Sequence, residues 1–205
     1  MARYAVYAGG IRVGVATLNF NRDPQDQYKM VVRAWTTGFL DRLFSWQGNY
    51  ETHGHLDSEG RFVPRTHVKT QTAKGETEQE KLVFDDLGRV QGFLEKDDSD
   101  PEFRARNLDA EAARDSADVI TAVFDALRQT EESGTCNVQS TAFDGKRRFH
   151  ITLTDRGTEK LHESRYNFYS GSAQRCTLQV ERAGGKWRNK DKARGWMAMQ
   201  QQSKE

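Results

Sequence analysis

Apolar residues in the first half of the chain recur at every second position with polar residues between them, the period of a half-buried β-strand. The clearest run sets Phe44, Trp46, Gly48, Tyr50, Thr52, Gly54 and Leu56 on one face against Ser45, Gln47, Asn49, Glu51, His53 and His55 on the other. This patterning predicts strands at residues 4–8, 11–20, 28–36, 44–56, 61–72, 76–84 and 89–96. Gly9-Gly10, Asp23-Pro24, residues 57–60, Lys74-Gly75 and residues 85–88 separate them, the short breaker clusters of an antiparallel meander.

An acidic link at 97–101 leads to a stripe at helical spacing: Leu108, Ala112, Val119, Val123, Phe124 and Leu127. It predicts one long helix over 108–130, capped by Asn107 or Asp109, with Glu111 suiting its start and Gly134 following its stop. Strands resume at 136–143, 147–154, 161–169 and 174–182, with Asp144-Gly145 as a hairpin signal. A single amphipathic helix among about eleven strands buries its stripe only if the sheet curls around it. The expected fold is therefore mainly β, a strongly curved antiparallel sheet (spiral or half-barrel) wrapped around one long α-helix. Residues 1–185 make one domain and 186–205 a basic tail. Concave apolar surface left uncovered by the helix is a candidate cavity, for which strand faces and helix stripe nominate Trp35, Phe44, Trp46, Tyr50, Val119, Val123, Phe124 and Leu127. The same residues suit a plain core.

Composition narrows the class. Hydrophobic residues make up 36% of the 205, below the roughly 45–50% of ordinary domains, which favours a thin or open sheet. Eleven Phe, six Tyr and four Trp at strand spacing argue against disorder. With 31 Lys+Arg against 30 Asp+Glu the chain lacks the global charge of a polyanion binder, and nucleic acid is not an expected partner. No apolar run approaches the ~18 residues of a membrane span, and Met1-Ala2-Arg3-Tyr4 does not open an apolar leader. That start suits a cytosolic protein or one whose signal peptide has been replaced. Cys136 and Cys176 form no CxxC pair; a single bridge and two buried thiols both remain open.

No GxSxG, HExxH or phosphate-loop motif is present, so neither an enzyme nor a cofactor is expected. His53, His55 and His67 invite a metal site, but a regular hairpin at 57–60 sets His53 opposite Pro64 and His67 opposite Tyr50, on the other side of the sheet. Only a bulge would reunite them. Asp144 with Arg147 and Arg148 reads as a turn aspartate beside strand arginines. Phe39, Leu40, Leu43, Phe44 and Trp46 form the most apolar short run, read first as core and second as the mouth of a groove. In the tail, Lys186, Trp187, Arg188, Lys190, Lys192 and Arg194 mix cations with tryptophan, a pattern suited to anionic headgroups, an envelope partner or, less well, nucleic acid.

Several segments carry a family resemblance. The opening Tyr4-Ala5-Val6-Tyr7-Ala8-Gly9-Gly10-Ile11-Arg12-Val13-Gly14 resembles the first hairpin of an exported proteobacterial family, domain of unknown function 3108. Asp115-Ser116-Ala117-Asp118-Val119-Ile120 resembles its helix segment, with Asp118 where the family tends to have Ser. Cys136 followed by Ala142-Phe143-Asp144-Gly145-Lys146-Arg147-Arg148-Phe149, then Tyr169-Ser170-Gly171, Cys176 and Gly184, resemble its two cysteine strands. The resemblance implies a periplasmic protein, a Cys136–Cys176 disulfide, an unknown activity, and likeness in shape to envelope integrity protein B and lipoprotein-localisation factors. In a flat four-stranded meander the two cysteines would lie roughly 14 Å apart, beyond the ~7 Å limit of a bridge. The bond thus needs curling, or Cys136 on the connection leaving the helix. The functional expectation is a periplasmic, non-enzymatic envelope protein that binds a lipid-like apolar ligand or a protein partner, with peripheral membrane contact. Its rival is an interaction scaffold whose helix fills the hollow.

Overall fold

The computed structural model describes residues 1–8, 10–164 and 169–187. In chain order it contains β1 (Ala2–Ala8), β2 (Ile11–Arg22), β3 (Gln27–Thr36), α1 (Gly38–Leu43), β4 (Trp46–Leu56), β5 (Phe62–Ala73), β6 (Glu76–Phe84), β7 (Val90–Asp97) and β8 (Asp100–Ala105). There follow α2 (Ala110–Ala113), α3 (Val119–Ser133), β9 (Val138–Phe143), β10 (Arg147–Leu161) and β11 (Gly171–Gly185). Strands β1–β8 form one antiparallel sheet in sequence order, and β9, β10 and β11 a second with β10 central. The larger sheet keeps β1 and β8 as edges, so it is not a closed barrel.

The predicted turns close the meander by local chemistry. Asp57 accepts the backbone N–H groups of Glu59 and Arg61, and Asp85 those of Leu87 and Arg89; each carboxylate also pairs with the arginine four residues on. The 97–101 link is instead the β7–β8 turn, where Asp97 accepts from Ser99 and Asp100. Pro101 conceals β8 in the sequence, and an edge strand tolerates it because its N–H is not needed.

Four further expectations are corrected. The long helix 108–130 is two helices, because Asp115 takes φ 52 and Ala117 leaves the helical path to bridge Ala142 of β9. Asp109 caps α2, Asp118 caps α3, and Gly134 ends α3 in the left-handed region at φ 68. Phe44 is not in a strand: it follows α1. Of the predicted strand at 161–169, Leu161 is the last residue of β10, which continues that far through an irregularity between Asp155 and Thr158, and residues 165–168 lie outside the described part. Finally, the turn closed from Asp57 to Arg61 pairs Leu56 with Phe62, and an irregularity between His53 and Gly54 shifts the register once more, so that His67 faces Thr52 rather than Tyr50.

Cross-strand register gives each face of the larger sheet its residues. Phe20, Met30, Thr52, His67, Leu82 and Phe93 form one row across β2–β7 on the face that carries α3. The core is three small clusters. Tyr28 and Met30 meet Ile120 and Phe124; Leu82, Phe84 and Phe93 meet Ala112, Ala113 and Phe143; and Ala142 and Ile151 meet Ala122. Helix α3 thus lies between the two sheets, small residues toward β9 and β10 and large ones toward β3–β5. Among the described residues no helix is long and apolar enough to cross a membrane.

Candidate functional site

The start of α3 is tied to the sheet by a buried polar cluster. Asp118, 0% exposed, accepts the N–H groups of Ile120 and Thr121 and the hydroxyls of Thr121 and Thr52. His67 Nδ1 lies 2.8 Å from Thr52 Oγ1 and 3.2 Å from Asp118 Oδ1. Burial works to raise the Asp118 pKa, but the His67 charge and these hydrogen bonds outweigh it and hold the carboxyl below its usual range. Beside it the Tyr28 hydroxyl is buried with no well-formed hydrogen bond among the described residues. Burial above all, with the Asp118 charge, holds its proton on against a weaker pull from Thr121. Thr52 and Asp118 meet the same imidazole nitrogen, so the cluster has no relay through the ring. Its chemistry is that of an anchor.

The Asp144-Gly145 hairpin docks on the same face. Asp144 N–H donates to the Arg147 carbonyl at the start of β10, so the turn also takes in Lys146. Phe143, 0% exposed, joins Leu82, Phe84 and Phe93, and Gly145 at φ +98 sits against the Phe93 ring. Lys146 Nζ reaches Glu80 at 2.7 Å and Glu95 at 2.5 Å, two carboxylates set directly opposite each other on β6 and β7. Lys69 adds a third ion pair, to Glu80 at 2.6 Å. These ammonium groups hold the Glu80 carboxyl low despite the raising effect of burial. Gly145→Ala is expected to lose about 1–3 kcal/mol in urea unfolding, because its Cβ would overlap the Phe93 ring and its φ suits glycine.

Beyond these two attachments, toward α1, the inner face continues past the reach of α3. From Thr52, α3 runs toward Phe62 and away from Trp46, which is about 20 Å back along β4. The half of the inner face carrying Ala16, Ala34, Gly48 and Trp46 is therefore not reached by the helix. There the Trp46 and Tyr50 rings converge over Gly48, both 2.9 Å from where a Cβ would stand, and Tyr50 accepts a hydrogen bond from Gln71. Across β1–β4 this face is apolar, with Tyr4 and Val6 exposed at its edge; from β5 onward it carries Lys69, Gln71, Glu78 and Glu80.

The eight nominated residues fall in different places. Trp46 and Tyr50 come together as described. Trp35 pairs with Gln47 and so projects from the opposite face, where it lines an open depression of about 230 Å³ with Arg33, Asn49 and Thr70. A second depression, of about 260 Å³, lies between α1 and the β5–β6 turn, lined by Trp35, Asp41, Trp46 and Lys74 among others. Val119 and Phe124 pack in the core, whereas Val123 and Leu127 are 39% and 53% exposed. The run at 39–44 is not core: Phe39, Leu43 and Phe44 are exposed. His53, paired with Glu51, and His55 share the outer face while His67 lies on the inner one, and among the described residues no group of His, Cys, Asp and Glu could hold a metal. Trp187 packs edge-on to Phe149 at 5.3 Å and under Arg182; Arg188, Lys190, Lys192 and Arg194 lie outside the described residues.

Cys136 and Cys176 are disulfide-bonded, with Cα atoms 6.0 Å apart. The bond forms because Cys136 sits on the connection from α3 to β9, beside the β10 irregularity, and donates its N–H to Asp155. Sequence reading missed the Asp118 cluster, whose one legible signal is an aspartate just ahead of an apolar helical run. A family model described as a protein of unknown function, DUF3108, matches residues 3–203. Neither the curated proteins nor the solved structures contain a match.

Proposed function

The chain belongs to the DUF3108 family, and from that premise we propose that it is an exported, non-enzymatic protein of the cell envelope, periplasmic in location, that holds a lipid-like ligand on the uncovered half of its larger sheet. The observation that carries this reading is the change of character along that face. An acyl chain would lie against Trp46, Tyr50, Ala34 and Ala16, and a polar head would meet Gln71 and Lys69 on β5. The disulfide supports export, since such bonds persist in oxidising compartments.

Native mass spectrometry of the protein taken from its own envelope, followed by organic extraction, tests the reading. A discrete added mass that extracts as lipid is expected. Trp46→Ala should reduce the occupied fraction about tenfold, by removing apolar contact area from the site. A bare protein mass from native material would sink the ligand reading and favour a scaffold that acts only on protein partners.

A further inference from the structure

The last described residue, Trp187, lies on the inner side of the larger sheet. Next to it, Lys186 N–H donates to the Lys146 carbonyl at 2.7 Å, and the Lys146 ammonium in turn reaches Glu80 on β6 and Glu95 on β7. Residues 188–205 follow, and the family match runs on through 203. Their sequence has two parts. Arg188, Lys190, Lys192 and Arg194 come first, against the single acid Asp191, and Trp196-Met197-Ala198-Met199 is the apolar run after them.

The inner face beside this exit has the same two parts in the same order. Glu76 and Glu78 stand on it at the end of β6 nearest α1, exposed and without an ion pair among the described residues. The cations around them are already paired, Lys69 and Lys146 with Glu80, Arg106 with Glu95 and Arg104 with Asp100. Lys74 at the β5–β6 turn is the exception, and Asp97 and Asp98 in the adjoining turn outweigh it. Two strands on, the face becomes apolar at Trp46, Gly48 and Tyr50, and Tyr4 and Val6 extend it at 54% and 40% exposure, a contiguous patch of the kind that meets something apolar. A chain crossing from β7 toward β1 thus meets carboxylates first and apolar surface second. Its reach is sufficient. Tyr50, Lys69 and Glu80 are register partners, which puts Tyr50 two strand spacings, ~10 Å, from the carboxylate beside the exit. From Trp187 to Trp196 an extended chain spans up to ~30 Å, and Gly48 lies only ~7 Å further along β4. A partner in solution lacks this tether, which holds the segment beside the face at a roughly millimolar effective concentration.

We propose that the occupant of the open half of the larger sheet, in the ligand-free protein, is the chain's own segment 188–199. Its cations meet Glu76 and Glu78, and Trp196-Met197-Ala198-Met199 covers Trp46, Gly48 and Tyr50. This contact is intramolecular and stands without the ligand reading. Where that reading holds, an acyl chain claims the same surface, so ligand and segment exclude one another.

The test places p-benzoylphenylalanine at position 196 of the full chain, freed of lipid by refolding from urea with its disulfide intact. Irradiation and peptide mass mapping are expected to join position 196 to β3 or β4 of the same chain. Glu76→Lys with Glu78→Lys should lower the yield about fivefold without changing the thermal midpoint, since both side chains are exposed. No cross-link, or one to another part of the chain, would overturn the proposal. Cross-links found only between chains would also overturn it and assign the face to a second copy. So would an unchanged yield in the lysine variant, because the cations would then not meet β6. Cross-linking in the lipid-free protein with no lipid extractable from native material overturns only the ligand reading, and an extractable lipid without the cross-link overturns only this proposal.

Discussion

Asp118→Ala is expected to destabilise the protein by about 3–5 kcal/mol, the combined effect of a lost helix cap and of several buried polar groups left without their shared acceptor. The loss has two parts. The α3 N-cap goes, at about 1 kcal/mol, since the N–H groups of Ile120 and Thr121 lose their acceptor. The larger part comes from His67, Thr52 and Thr121, which stay buried with the shared carboxylate removed. Urea unfolding of Asp118→Ala, His67→Ala and the double variant would measure the coupling, and strictly additive losses would show that the two residues do not act as one unit.

The same carboxylate sets a pH dependence. Its folded-state pKa is lowered, so its stabilisation is complete above the ordinary aspartate value of about 3.9 and is lost as pH falls through the folded value. Stability should therefore drop on acidification below about pH 4. Asp118→Asn should show a shallower drop, while Glu80 and Glu51, held low by Lys146, Lys69, Lys29 and His53, keep the rest of the slope. An unchanged acid slope in the asparagine variant would refute this assignment.

Replacing both Cys136 and Cys176 with serine is expected to cost about 4 kcal/mol in the chain-entropy model, given their separation of 40 residues. The bridge holds β11 to the connection that leaves α3, and among the described residues β11 otherwise pairs in the sheet only with β10. Its loss should thus loosen β11 first, visible as faster amide exchange across Gly171–Gly185 than in β3 or β4. Alkylation of protein taken from its native compartment should label neither cysteine until a reductant is added; free thiols there would remove the support for export.

Strand positions were legible because their causes are local. Alternation over 44–56 reads directly as the two faces of β4, and the aspartate and glycine turns place the hairpins within a residue or two. The Asp144-Gly145 signal located its hairpin, although Lys146 extends the turn. Where local rules conflict with a distant contact they mislead. The helical stripe runs on through 114–118, but Ala117 gains two backbone hydrogen bonds with β9, and this breaks the helix. The apolar run at 39–44 scores as core by composition, yet the short β3–β4 connection holds it off the end of the sheet.

By itself, then, the sequence determined an antiparallel β protein with its turns, its helix stop at Gly134 and a family resemblance that implied the disulfide. These follow from periodicity, turn chemistry and motif, all properties of neighbouring residues. Only the tertiary structure decided that Asp118 meets Thr52 from 66 residues away, that Lys146 bridges to Glu80 across the same distance, and which half of the sheet stays open. Those outcomes depend on how two sheets and two helices settle against one another, and no local pattern encodes a contact whose partners are brought together by the packing of everything between them.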